Sequence, residues 1–197
     1  TVDTTPPSII LTPLSPDPTN DNTPTLSGTA IDTTSPITSV DYRIDGEDWI
    51  AAEAINGTFE GLSEDFTFTI AELDDGEHLV QVRATDAAEN ISPLASHAFM
   101  VDTALPSVTI GDIPDSVNQL ASISGTASDD PPGVVERIQV LINNSSDSTY
   151  WDSATWVTIK SWLDAAGTEF WSYNMPTLTD GKAYTVKAKS IDRAGNE

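Results

Sequence analysis

The sequence predicts an all-β chain of two sandwich domains in series, and three observations predict it. The first is repetition: VDTTPPSII at Val2 returns as VDTALPSVT at Val101, an offset of 99 residues, and SGTAID at Ser27 returns as SGTASD at Ser124, an offset of 97. RATDAAEN at Arg83 returns as KSIDRAGN at Lys189, an offset of 106, so the second copy carries a longer middle. A period of this size repeats whole domains rather than solenoid units. The second observation is period-2 alternation of apolar and polar residues bounded by turn residues, the signature of half-buried strands. The third is composition, rich in Thr, Ser, Pro and Gly, with 21 Asp against 10 Glu, which favours turns and strands over helices.

The repeat divides the chain into domain 1 (residues 1–101) and domain 2 (residues 102–197). In domain 1 alternation predicts strands at 9–11, 25–30, 40–44, 49–52, 66–70, 77–85 and 95–101. The third and fourth meet at Asp45-Gly46, a dipeptide suited to the positive φ angles of a tight hairpin. Domain 2 predicts strands at 107–110, 120–127, 136–142, 156–159, 169–174 and 183–191. Seven short strands with regular turns make a two-sheet sandwich. Leu178-x-x-Gly181-x-x-Tyr184 reads as a tyrosine corner, with the phenol bonded back to the turn before its strand. Domain 1 has His78 in the same place, which assigns that histidine a structural role.

Charge and inventory exclude several functions. Eight Lys and Arg against 31 Asp and Glu give a formal net charge of -23, which repels nucleic acid and anionic membrane surfaces alike. No run approaches the ~18 apolar residues of a membrane span, and the N-terminus carries no basic stretch leading into an apolar one, so any export signal is expected outside this sequence. Without cysteine there is no thiol catalysis, thiolate metal site or disulfide. His78 and His97 are the only histidines, and neither lies in a nucleophile motif, so the chain reads as non-enzymatic. A tight last hairpin sets the two as cross-strand neighbours, and core or corner packing accounts for them better than a zinc site.

VDTTPP leading into the first strand, SGTA in the second, YRIDGEDW across a hairpin and LDDGEHLVQVRATDAAEN into the last hairpin resemble bacterial Ig-like modules. The resemblance covers nearly all of domain 1. In domain 2 it rests on VDTALPSV, SGTASDD and FWSYNMPTLTDGKAYTVKAKSIDRAGN, with 147–167 matching less well. It implies two tandem immunoglobulin-like β-sandwich domains in an extracellular prokaryotic surface protein, acting as a spacer in an adhesin stalk or a unit of an S-layer. The expected partners are neighbouring Ig-like domains of the same chain, with cell-surface or polysaccharide ligands beyond them, and no nucleic acid or inserted membrane. The alternative is a carbohydrate-binding accessory region of an extracellular polysaccharide-active enzyme.

That topology returns the chain entry and two loops to one end of each sandwich. In domain 2 it gathers Asp102, Asp129, Asp130, Asp192 and Asn196; in domain 1, Asp3, Asp32, Asp86 and Asn90. Calcium takes 6 to 8 hard oxygens from carboxylates, amides and carbonyls, and each set is chemically suited to it. The structural reading is that Asp-x-Ala-x-Asn only builds the hairpin, through Asx-type bonds and a left-handed residue; the two readings can coexist. The far end of domain 1 holds Asp17, Asp21, Asp45, Glu47, Asp74 and Asp75, so a calcium ion between the domains is expected to relieve like-charge repulsion and stiffen the chain.

Two further readings concern domain 2. Four of the five tryptophans, Trp151, Trp156, Trp162 and Trp171, fall there with Tyr150, Phe170 and Tyr173. Core packing is the expected role; exposure of Trp151, Trp156 and Trp162 in a line would instead suit sugar stacking. Lys187 and Lys189 alternate out of phase with Val186 and Ala188 and are expected to face solvent. Only Glu197 follows Asn196, where domain 1 has a full strand after Asn90, so strand G of domain 2 is expected to be missing and the edge of strand F open.

Overall fold

The computed structural model describes residues 2–197 and divides into two compact units, Thr1–Thr103 and Ala104–Glu197. The strands of the first unit are β1 (Ser8–Leu11), β2 (Thr25–Ile31), β3 (Ile37–Ile44), β4 (Ile50–Ala51), β5 (Glu53–Ala54), β6 (Ser63–Thr69), β7 (Gly76–Asp86) and β8 (Ala95–Val101). They form two antiparallel four-stranded sheets, β1-β2-β6-β5 and β4-β3-β7-β8. Alternation makes the core: Leu26 and Ala30 of β2, Phe66 and Phe68 of β6, Val40 and Tyr42 of β3, and Val80, Val82 and Ala84 of β7 point inward and are buried. Gly28 is required in β2, because a Cβ there would stand 2.4 Å from the Ile10 carbonyl oxygen and 2.5 Å from the Phe66 ring.

The second unit has β9 (Ser107–Ile110), β10 (Ser122–Ser128), β11 (Val135–Asn144), β12 (Thr149–Trp151), β13 (Trp156–Val157), β14 (Leu163–Asp164), β15 (Phe170–Asn174) and β16 (Tyr184–Asp192). One sheet runs β15-β10-β9. In the other, β11 pairs with β16 along one edge and with β12 and β14 on the opposite one, and β13 extends β12. Trp171 lies over Gly125 as Phe66 lies over Gly28: a Cβ at Gly125 would fall 1.9 Å from the Thr109 carbonyl oxygen and 2.7 Å from the indole. Among the described residues, no strand pairs with the second edge of β16. Among the described residues, no helix is long and apolar enough to cross a membrane.

Three details differ from the sequence reading. The longer middle of the second repeat forms β12, β13 and β14, pieces of two or three residues that are too short to show alternation. Asp45 and Gly46 have the expected positive φ, 51° and 80°, yet pairing begins only at Tyr42 and Ile50, so the connection is a wider loop. The histidines are not opposite one another: His78 pairs with Phe99 and His97 with Val80. The loop after Asp86 sets this register, with Asn90 held at Asp86 and Ile91 bridging Thr85 before β8 begins. The Phe99 ring therefore lies between the imidazoles, 5.9 Å from one and 6.4 Å from the other.

Candidate metal centre

Three loop segments converge at one end of the first unit. Asp32 closes β2, Asp86 closes β7, and Asp3 lies in the segment that leads into β1. One carboxylate oxygen from each lies within 4.8 Å of the other two. The remaining oxygens hold local backbone. Asp3 Oδ1 accepts the Thr5 amide at 3.0 Å, and Asp32 Oδ1 accepts those of Thr34 and Ser35 at 2.7 and 2.9 Å. Asp86 Oδ1 accepts the amides of Ala88 and Asn90, both at 2.8 Å. These Asx turns orient the second oxygens inward. Asn90 Nδ2 donates to Asp86 Oδ2 at 2.8 Å and to the Asp3 carbonyl at 3.4 Å, which ties the leading segment to the last hairpin.

Among the described residues, Asp3 Oδ2 and Asp32 Oδ2 are buried without a hydrogen-bond partner, and Asp32 as a whole is 4 % exposed. Burial pushes the Asp86 carboxyl up, but hydrogen bonds from Asn90 and the Ala88 amide reverse this and hold it below the usual range, so it is a carboxylate at neutral pH. At an effective dielectric of about 20, two charges 4.8 Å apart repel by about 3 kcal/mol. Buried oxygens that lack donors and repel one another fit a hard cation with oxygen ligands. The site contains no histidine, which disfavours zinc. Three carboxylates, the Asn90 amide and nearby carbonyls are a calcium-type donor set.

The second repeat rebuilds part of this arrangement. Asp192 Oδ1 accepts the amides of Gly195 and Asn196 at 2.7 and 2.9 Å, and its Oδ2 accepts Asn196 Nδ2 at 2.8 Å. A carboxylate oxygen of Asp129 lies within 4.8 Å of one of Asp192. Asp129 Oδ2 is buried without a partner, and burial together with the Asp192 charge raises the Asp129 pKa. Asp130 stands apart: it is exposed, and its amide donates to Asp129 Oδ1 at 3.0 Å. Asp102 follows β8, its amide donating to the Thr19 carbonyl at 2.9 Å, and the repeat sets it at the position of Asp3.

The acidic residues at the other end of the first unit are used locally. Asp17 accepts the Met100 amide, Asp21 that of Thr23, and Asp75 that of Thr103, each at 2.9 Å. Asp45, read from the sequence as a turn residue and one of the far-end acidic groups, accepts the Leu79 amide at 2.8 Å and contacts His78 Nδ1 at 2.7 Å. His78 Nε2 meets the Asp74 carbonyl at 2.8 Å, the turn contact of a corner residue; in the second unit Tyr184 makes the equivalent contact, accepting the Thr179 amide at 2.9 Å. Burial pushes the His78 pKa down, but bonds to Asp45 and Asp74 outweigh it and hold it above the usual value. His97 accepts the Leu14 amide through Nε2 at 3.2 Å.

The tryptophans do not form an exposed line. Trp151 and Trp156 are half-buried and pack on each other at 5.6 Å, and Trp156 packs on Tyr184 at 5.5 Å. Trp162 is more exposed, with Lys189 5.3 Å from its ring centre.

Residues 15–103 match the bacterial Ig-like domain family. Such domains are generally non-catalytic. No curated protein matches the chain. Among solved structures, it is similar to the sulfane dehydrogenase SoxCD of Paracoccus pantotrophus at 26 % identity and a TM-score of 0.37, covering 45 % of this chain and 23 % of that one. Fibronectin(III)-like modules of CbhA from Clostridium thermocellum match at 15 % identity and a TM-score of 0.49, over 96 % of this chain and 88 % of theirs. Dimeric latent PorU from Porphyromonas gingivalis matches at 15 % identity and a TM-score of 0.40, over 96 % of this chain and 20 % of that one.

Proposed function

We propose that this chain, whose residues 15–103 match the bacterial Ig-like domain family, is a structural spacer of an extracellular prokaryotic surface protein, in an adhesin stalk or an S-layer, whose loop ends bind calcium. The observation that carries the calcium reading is the set formed by Asp3, Asp32 and Asp86, with two buried oxygens that nothing donates to. A cation there joins the segment before β1 to the loops after β2 and β7, so it fixes the direction in which the chain enters the sandwich. A spacer needs that stiffness. The second repeat supports a second site through Asp129, Asp192 and Asn196.

Calorimetric titration of the full chain with calcium, after treatment with chelator, tests this. Saturable binding that weakens at least tenfold in Asp3→Ala supports the reading. Absence of binding at millimolar calcium overturns it.

A further inference from the structure

The β15-β10-β9 sheet of the second unit carries a hollow of about 410 Å³ that differs in kind from the same place in the first unit. Its floor is a ladder of hydroxyls on the outer face: Thr109 and Thr126 are bonded at 2.8 Å, and Ser107 and Ser128 at 2.9 Å. Its rim carries Glu169 and Phe170, and the Phe170 ring is 79 % exposed. Strand alternation explains the position, because Trp171 is turned into the core and Phe170 must face out.

The register shows what these positions do when they serve the fold. Trp171 opposite Gly125 corresponds to Phe66 opposite Gly28, so Glu169 corresponds to Glu64 and Phe170 to Asp65. Glu64 is buried and holds its own loop, accepting the amides of Glu60 and Gly61 at 3.1 and 2.6 Å and Asn56 Nδ2 at 3.1 Å. Asp65 accepts the Thr29 hydroxyl at 2.7 Å. In the second unit both positions are released from such duties: the Glu169 side chain is exposed with no hydrogen bond or ion pair to the described residues, and Phe170 presents its ring to solvent.

We infer that this hollow is a glycan subsite, in which a pyranose ring with equatorial hydroxyls stacks on Phe170 and its hydroxyls meet the Thr109–Thr126 and Ser107–Ser128 ladder on the same face. A pyranose of this type has an apolar C–H face and a polar edge. The outer face offers an aromatic ring and hydroxyls that both donate and accept, with acidic residues at the rim of the hollow. No Lys or Arg lines it, and Asp129 adds a second carboxylate, so the charge selects a neutral sugar over a uronic or sulfated one. The site is separate from the hairpin tryptophans; it shares Asp129 with the second acidic set, so it is tested without calcium.

The test is titration of the full chain with cellohexaose in EDTA, followed by calorimetry and by saturation-transfer NMR. The subsite requires weak, saturable binding with transfer to the sugar C–H protons. Phe170→Asp, which installs the residue of the first unit, and Phe170→Ala should each weaken binding by about tenfold or more with an unchanged melting curve. Failure of cellohexaose to bind, or binding unaffected by both Phe170 variants, overturns the inference.

Discussion

The two units are copies of one sandwich that have diverged in how much of the sequence serves the fold. In the first, 14 buried residues form one core cluster, and most loop carboxylates hold a local amide; in the second, the equivalent cluster has six. The same aromatic-over-glycine contact organises both, as Phe66 on Gly28 and Trp171 on Gly125. Around it the second unit relaxes: Asp65 becomes Phe170, Glu64 becomes Glu169, and the long middle becomes three short strands, two beside β11 and one beside β12. The difference teaches that a repeated motif conserves the contact that closes the sandwich and leaves the outer face to vary. The smaller core should also make the second unit the first to melt.

The largest effect that would break this comparison is at the shared glycine. Gly28→Ala and Gly125→Ala each drive a methyl into a carbonyl oxygen and an aromatic ring, and each should destabilise its own unit by about 3 kcal/mol or more. Calorimetry should show the transition of one unit lowered and the other unmoved. If both transitions move together in either variant, the units do not melt independently.

Calcium should have the next largest effect. At a concentration one hundred times its dissociation constant, an ion that binds only the folded form adds about 2.7 kcal/mol. The melting temperature should rise with calcium and return with chelator, and Asp86→Ala should remove the response of the first unit. That variant also loses the Asx turn, so its melting temperature should fall in chelator too.

A smaller effect separates His78 from Tyr184. The folded-state pKa of His78 is raised, so the stability it contributes is complete below the unfolded value near 6.5 and is lost as pH rises through the folded value. The pair with Asp45 is partly exposed, so its contribution should stay below about 1 kcal/mol. Between pH 6 and pH 9 the first unit should lose slightly more stability than its His78→Tyr variant, followed as the difference between their melting temperatures. The smallest effect concerns the fourth residue of the last hairpin, which is left-handed in both units: Glu89 at φ 66° and Gly195 at φ 94°. Glu89→Gly should stabilise the first unit by up to about 1 kcal/mol, read as a rise in its melting temperature.

Much of this was legible in the sequence. Alternation in β2, β3, β7 and β8 and the repeat of VDT, SGTA and D-x-A-x-N carry the two sandwiches, because each long strand must bury one face. The same repeat gathers Asp3, Asp32, Asp86 and Asn90 at one end. Two kinds of feature were hidden. The register of β7 against β8 depends on how Asp86 and Asn90 close their loop, which spacing alone does not fix. The contrast between Glu64 and Glu169 depends on loops folding over one and leaving the other exposed. The left-handed residue of the hairpin is a glycine, Gly195, only in the second unit; in the first it is Glu89, a type that does not announce that conformation.

The central claim is that the oxygens of Asp3, Asp32 and Asp86 converge for a cation, and Asp32→Asn tests it most directly because the account predicts a change of sign. In chelator, replacing Asp32 Oδ2 by an amide nitrogen removes one of three mutually repelling charges and sets a donor near the other two carboxylates, so the first unit should melt higher than wild type. In saturating calcium the same change removes a charged ligand, so the variant should melt lower than wild type. A variant that ranks the same way against wild type in both conditions would contradict the account.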